Sequence, residues 1–428
     1  MKTIAAVFAC LCVLACQAQT IDTAAQKAAS YFKEAEIAAH NQHIWNAQLY
    51  GPTMFVDPQT RVTYANMPDS AGILKPDGDI YKGILPADVL LANTSVNWQG
   101  KLWSLILWPL PADRDERVNL VVHESYHRVQ QQLGFPQHSP TADHLSSMDG
   151  RIYFLLELQA LKAALSKPIS QRDADLTNAL LFREKRRELF PATFANERIL
   201  EMNEGLAEYT GVILGRPKQN IGAHLNQIID SARDHKSFIR SFAYTTGPVY
   251  GCLLYQKSPG WTLKIDSNSD FPLLIAKYYH ISLPKHTETG LIARIEKKYD
   301  GDVIIKSEKA KEIKRLETVN EFTDLFTRKP VLTIKLVKMG ISFNPSILFD
   351  LGEYGTVYPS AEIKDVWGHL TASAPGVLMK DWQVITLSAE GISQNVKEID
   401  GKGWKLLLND NWTLTQTDSL HYKLVNKN

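Results

Sequence analysis

The chain has 428 residues, with 47 Lys and Arg against 46 Asp and Glu, a formal net charge of +1. Hydrophobic residues make up 44% and charged residues 22%, which is too apolar for a disordered chain and ordinary for a folded one. No basic excess suits nucleic acid or an anionic membrane surface, and the length suits two or three domains.

The first 18 residues, MKTIAAVFACLCVLACQA, carry one charge at Lys2, an apolar stretch from Ile4 to Ala15 and small residues at the end. That is the pattern of a bacterial export signal, with cleavage after Ala18 and a mature chain from Gln19. The apolar run is too short for a comfortable membrane span. Val13-Leu14-Ala15-Cys16 also fits a lipobox, which would leave a lipid anchor on Cys16. The protein is therefore expected to be exported, whether periplasmic, extracellular or lipid-anchored. Three of the four cysteines (Cys10, Cys12, Cys16) lie in this segment, so the mature chain has no internal disulfide framework and Cys252 stands apart.

From Asp22 to about Asn46 alanines and long side chains predict a helix capped by Asp22. Met54 to Asn66 alternates around Asp57-Pro58, and Leu90 to Trp108 reads as two strands joined at Gln99-Gly100. Helical patterns follow over 113–133, 149–166, 171–189, 193–214, 221–235 and 248–257. A lysine-rich helical stretch runs from Thr289 to Arg328. Beyond Pro330, short alternating runs divided by Gly, Asn and Pro predict a β domain of typical size, with Trp367, Trp382, Trp404 and Trp412 either filling its core or, as an exposed set, binding a glycan or peptide. The fold class read from this order is α+β. A signal (1–18) precedes an N-terminal α/β lobe (19–112), a mainly helical lobe (113–328) and a C-terminal all-β domain (331–428).

Chemistry concentrates in the first long helix, at His123-Glu124-Ser125-Tyr126-His127. Residues four apart share a helix face, so both imidazoles can address one ion, while Glu124 is offset to reach a water on it. Val118, Val121, Val122, Tyr126 and Val129 supply the apolar stripe beside them, and Asp113 with Glu116 makes a capping pair. A zinc site of this kind needs a third protein ligand. The downstream run Asn203-Glu204-Gly205-Leu206-Ala207-Glu208 offers Glu204, and Glu157 is a second candidate whose alternative role is a buried ion pair with Arg151 or another base.

H-E-x-x-H followed by N-E-G-x-A resembles the gluzincin metallopeptidases, the group of thermolysin and the zinc aminopeptidases. The resemblance covers about residues 50–260 and implies a zincin-like catalytic region. It also implies His123, His127 and Glu204 as zinc ligands, Glu124 as general base and Glu208 as the carboxylate behind a ligating histidine. Tyr244-Thr245-Thr246-Gly247 is similar to the Y-x-x-G element of the zinc aminopeptidases, which implies Tyr244 as the oxyanion donor, with Tyr250 the alternative. It stands before an apolar helix holding Val249 and Leu253. Thr94 to Trp98 is similar to the edge strand that pairs with substrate backbone. The expected function is an exported zinc metallopeptidase acting on a peptide or protein. The other reading is an exported binding or scaffold protein without turnover. His138, His144, His235, His280, His286, His369 and His421 lack partners at ligand spacing and read as surface or structural residues.

Overall fold

A computed structural model describes residues 23–135, 137–235, 237–284 and 289–427. The export signal, Asp22, Cys16 and His286 lie outside the described residues. The chain is α+β, with a helical lobe between an N-terminal sheet and C-terminal sheets. None of the described helices is long and apolar enough to cross a membrane.

Helix α1 (Thr23–Ala39) ends earlier than the expected Asn46, and the chain from 40 to 52 is irregular. Six strands follow: β1 (Thr53–Val56), β2 (Val62–Ala65), β3 (Lys75–Asp77), β4 (Ile80–Ile84), β5 (Thr94–Trp98) and β6 (Lys101–Leu107). They form one sheet in the order β3-β4-β2-β1-β6-β5, with β1 and β6 parallel and Phe55 opposite Ile106. The period of two sends Phe55 and Ile106 to the face covered by α1, where Phe32 stacks on Phe55 at 4.2 Å between ring centroids. Met54, Val56 and Leu105 go to the opposite face with Trp98 and Trp103. β3 and β4 were not expected from the sequence, because Lys75, Asp77 and Lys82 break the apolar alternation. β5 closes one edge of the sheet.

The helical lobe begins with α2 (Arg114–Gln130), whose Asp113 cap accepts the Glu116 amide at 2.9 Å. Glu116 turns its own carboxylate to Arg216 rather than back to the cap. There follow α3 (Met148–Leu165), α4 (Asp173–Leu189), α5 (Phe194–Leu200), α6 (Leu206–Gly215), α7 (Lys218–Ala232) and α8 (Phe242–Lys257). The helix expected over 193–214 is instead α5 and α6 joined by a π turn, Glu201–Gly205. α8 starts six residues before the expected 248, so Tyr244 lies in its first turn and Pro248 inside it. Pro248 is the seventh residue of the helix, beyond the amides that lack an intrahelical acceptor, so it withholds the hydrogen bond that an amide there would give the Tyr244 carbonyl. The lobe is completed by α9 (Phe271–Tyr279), α10 (Thr289–Glu296) and α11 (Gly301–Thr327); the lysine-rich stretch is thus two helices. One core of Leu, Val, Phe and Ala side chains runs through it.

Strands from Val331–Lys335 to His421–Asn426 form a seven-stranded and a six-stranded sheet around a second core. Trp367 and Trp404 are buried there. Trp382 is 37% exposed and Trp412 half-buried, so two of the four expected core tryptophans face outward or to the core's rim.

Candidate metal centre

Two close helix contacts build the site. α6 lies against α2 because Gly211 and Gly215 present no side chain: a Cβ on Gly211 would stand 2.6 Å from Asn119 Oδ1. α8 crosses the π turn where Gly247 meets Gly205; a Cβ on Gly247 would fall 2.2 Å from the Gly205 Cα. The glycines of the N-E-G and Y-x-x-G segments therefore permit backbone approach, and that approach brings Glu204 and Tyr244 to the histidines of α2. A wide turn redirects side chains relative to a regular helix, and π turns recur at functional sites.

His123, His127 and Glu204 offer ligand atoms that all lie within 4.8 Å of one another, the one such His/Cys/Asp/Glu group among the described residues. Nε2 of His127 is 3.1 Å from Nε2 of His123, and Glu204 Oε2 lies 3.3 Å from His127 Nε2 and 3.6 Å from His123 Nε2. Ligands about 2.0–2.1 Å from a tetrahedral zinc stand about 3.3 Å apart, so the three edges fit that ion. The donor set, two imidazoles and a carboxylate, is the one found at catalytic zinc with an open position.

Behind these three side chains the hydrogen bonds are specific. His123 Nδ1 meets Glu208 Oε2 at 2.9 Å, and Asn119 Nδ2 donates to the other Glu208 oxygen at 2.9 Å. His127 Nδ1 meets Gln130 Oε1 at 2.7 Å. With each Nδ1 so engaged, each Nε2 faces the shared point. Gln130 Nε2 donates to Asn203 Oδ1 at 2.7 Å, Asn203 Nδ2 reaches Ser139 Oγ at 2.5 Å, and Ser139 Oγ donates to Glu204 Oε1 at 3.0 Å. A chain of polar contacts thus runs from His127 to Glu204. The Tyr244 hydroxyl donates to Glu204 Oε2 at 2.7 Å, and its ring stacks on His123.

Glu124 is buried, lines the same cavity, and its Oε2 has no hydrogen-bond partner. Burial pushes its carboxyl up, although His123 and His127 pull it down. Burial would also raise Glu204, but the two histidines outweigh it and hold that carboxyl well below the ordinary range. Burial lifts the Tyr244 phenol well above its usual value, with Glu204 adding to the effect. It stays a neutral donor.

The cavity holds about 330 Å³ and is also lined by Thr94 and Ser95 of the edge strand β5. A larger open hollow of about 1020 Å³ beside Trp45 and Phe135 includes none of these residues. The sequence candidates His123, Glu124, His127, Glu204 and Tyr244 share the cavity, with Glu208 behind His123. Glu157 and Tyr250 lie elsewhere: Glu157 pairs with Arg183 at 2.9 Å and Arg186 at 2.7 Å, and accepts from the Tyr250 hydroxyl at 2.6 Å. Glu157 is thus the buried ion-paired carboxylate that was the alternative to a ligand, with Arg183 and Arg186 as the bases, while Arg151 pairs with Glu308 and Glu312. Gln130, Ser139 and Asn119 were missed by sequence reasoning. Gln130 had one signal, its place three residues after His127 on the same helix face. Comparison with protein-family models, curated proteins and solved structures finds no match.

Proposed function

We propose that the protein is an exported zinc-dependent metallopeptidase with a zincin-like catalytic lobe. The observation that carries the reading is the convergence of two imidazoles and a carboxylate beside Glu124, a buried carboxylate with an unpartnered oxygen. A zinc ion held by His123, His127 and Glu204 would lower the pKa of water and polarise a carbonyl.

The chain's own groups supply the rest. Glu124 accepts the proton of the attacking water and returns it to the leaving amine, a task suited to a carboxyl raised by burial. Tyr244 donates its hydroxyl to the carbonyl oxygen as that oxygen gains charge, giving up its bond to Glu204. Glu208 and Gln130 keep the imidazoles oriented. The free edge of β5 can add a peptide strand through main-chain hydrogen bonds, with Thr94 and Ser95 facing the cavity. No excess of either charge is needed for such binding, in keeping with the net charge of +1.

The test is hydrolysis of a fluorogenic peptide library by the zinc-loaded protein and by Glu124→Gln. The variant is expected to retain zinc and lose turnover. Undiminished turnover by the variant would overturn Glu124 as base, and zinc-loaded protein inert on every peptide would favour a binding protein without turnover.

A further inference from the structure

A second, smaller cavity of about 160 Å³ lies where the helical lobe meets the C-terminal sheets. Thr141 and Asp143 line it from one side; Asp350, Tyr358, Asp381 and Trp382 line it from the other. Neither Lys, Arg nor His contributes to its wall, and the cation beside it is the Arg240 guanidinium, 5.8 Å from the Trp382 ring centroid on the side of the metal cavity. Two polar atoms in it are orphaned. Asp143 Oδ1 is buried without a hydrogen-bond partner. Tyr358 is only 2% exposed, and its hydroxyl has no hydrogen-bond partner among the described residues. Asp143 Oδ1 is a buried atom that would ordinarily be satisfied, and the Tyr358 hydroxyl reaches the cavity unpaired, so the two together point to an occupant of this cavity.

We propose that this cavity binds the ammonium group of a lysine side chain on the peptide substrate. The carboxylates of Asp143, Asp350 and Asp381 supply charge, the Tyr358 hydroxyl supplies an acceptor, and the Trp382 ring covers the methylenes and faces the cation. The size suits one side chain, since cavities for whole drug-sized ligands run from about 300 Å³ upward. An organic cation fits better than a metal ion. Among the described residues only His123, His127 and Glu204 converge closely enough to ligate one.

The position ties the cavity to the metal centre. Ser139 lines the metal cavity and Thr141 lines this one. Two residues of extended chain span at most about 7 Å, so a bound lysine falls within a few residues of the bond facing Glu124. Arg240 fastens the partition: its Nη1 donates to the Ser139 carbonyl at 2.6 Å, and its guanidinium lies 5.3 Å from Phe343 and 5.8 Å from Trp382 ring centroids. The C-terminal sheets thus contribute a selectivity wall. That role as a substrate subsite rests on the peptidase reading, whereas ammonium binding itself does not.

The experiment uses full-length Glu124→Gln protein and labelled hexapeptides of alanine and serine, with one lysine walked through the six positions. Fluorescence anisotropy is expected to show one or two positions where lysine binds about tenfold tighter than Nε-acetyl-lysine, as a charge-assisted hydrogen bond implies. The preference should vanish in Asp143→Asn/Asp350→Asn and weaken in the exposed-site variant Asp381→Asn. Equal binding of lysine and acetyl-lysine at every position would overturn the proposal, as would a preference that survives both variants. So would a thermal upshift with calcium chloride alone that the double variant abolishes. If no peptide binds but Nα-acetyl-lysine methylamide shifts Trp382 resonances in an Asp143-dependent way, the cavity stands and the peptidase reading falls. If neither probe binds, the proposal falls.

Discussion

Gln130 Nε2 donates to Asn203 Oδ1 at 2.7 Å, and the same side chain's Oε1 meets His127 Nδ1 at 2.7 Å. One neutral amide therefore fixes the ring of a histidine on α2 and grips the π turn that carries Glu204. Through Ser139 the contact continues to Glu204 itself. His123 is held differently, by the Glu208 carboxylate. The two imidazoles are oriented by partners of unlike charge, so their loss should be felt unequally.

Gln130→Met keeps the length of a fully buried side chain but removes both polar contacts. Outer partners of ligating histidines are worth about 10–100-fold in metal affinity. We expect a loss in that range for zinc, read by competition with a chromophoric chelator, and a larger loss for Glu208→Leu. Affinity unchanged in Gln130→Met would show that the amide merely fills space.

Tyr244→Phe removes one hydroxyl, which donates to Glu204. Losing an oxyanion donor costs about 10²–10³ in kcat. KM should change little and the unfolding midpoint should hold. Tyr250→Phe should do the reverse, lowering stability through Glu157 and sparing kcat, because its hydroxyl points into the ion cluster.

Gly247→Ala sets a methyl against the Gly205 backbone, which cannot swing aside as a flexible side chain would. The crossing of α8 over the π turn must widen, and that moves Tyr244 and Glu204 together. We expect a destabilisation of about 1–3 kcal/mol from overpacking, with weakened zinc binding. Gly222→Ala, with open space around it, serves as the control. Equal metal affinity in the two would show that the crossing does not set the site.

At the start of the π turn, Arg183 and Arg186 bind Glu157, Glu197 and Glu201, and His144 Nε2 meets Glu197 at 2.7 Å. Burial would raise Glu157 and Glu197, but the two guanidiniums outweigh it and hold both carboxyls below 4.5, the ordinary glutamate value. A carboxyl depressed on folding adds stability that is complete above the unfolded value and lost as pH falls toward the folded one. Glu201, which burial pushes up, runs the opposite way. Urea midpoints should therefore fall below about pH 4.5, and Glu197→Gln should flatten that slope. At neutral pH Arg183→Met should cost about 3–5 kcal/mol, because it strands buried carboxylates.

The sequence showed most where chemistry and local geometry coincide. His123, Glu124 and His127 follow from a helical period of four residues, and the Asp113 cap from its own short-range bond. Glu204 came from a motif, and its glycine proved to mark a helix crossing. The contacts of Gln130 with Asn203 and of Ser139 with Glu204 join residues some seventy positions apart, which no periodicity encodes. The start of α8 was hidden because Ser241 to Gly247 resemble a loop in composition, yet tertiary packing keeps them helical. Trp382 is as apolar as the buried Trp367 and Trp404, but it sits on a turn with positive φ beside Asp381, which composition does not reveal.

We propose that His123, His127 and Glu204 hold a catalytic zinc ion. Elemental analysis of the purified protein and of Glu204→Ala and Glu157→Ala, each with peptide hydrolysis measured on the same sample, addresses it most directly. We expect about one zinc per chain with hydrolysis in the parent, both lost in Glu204→Ala, and zinc retained in folded Glu157→Ala. A parent chain that takes up no zinc, or one that keeps zinc and turnover without Glu204, would contradict it.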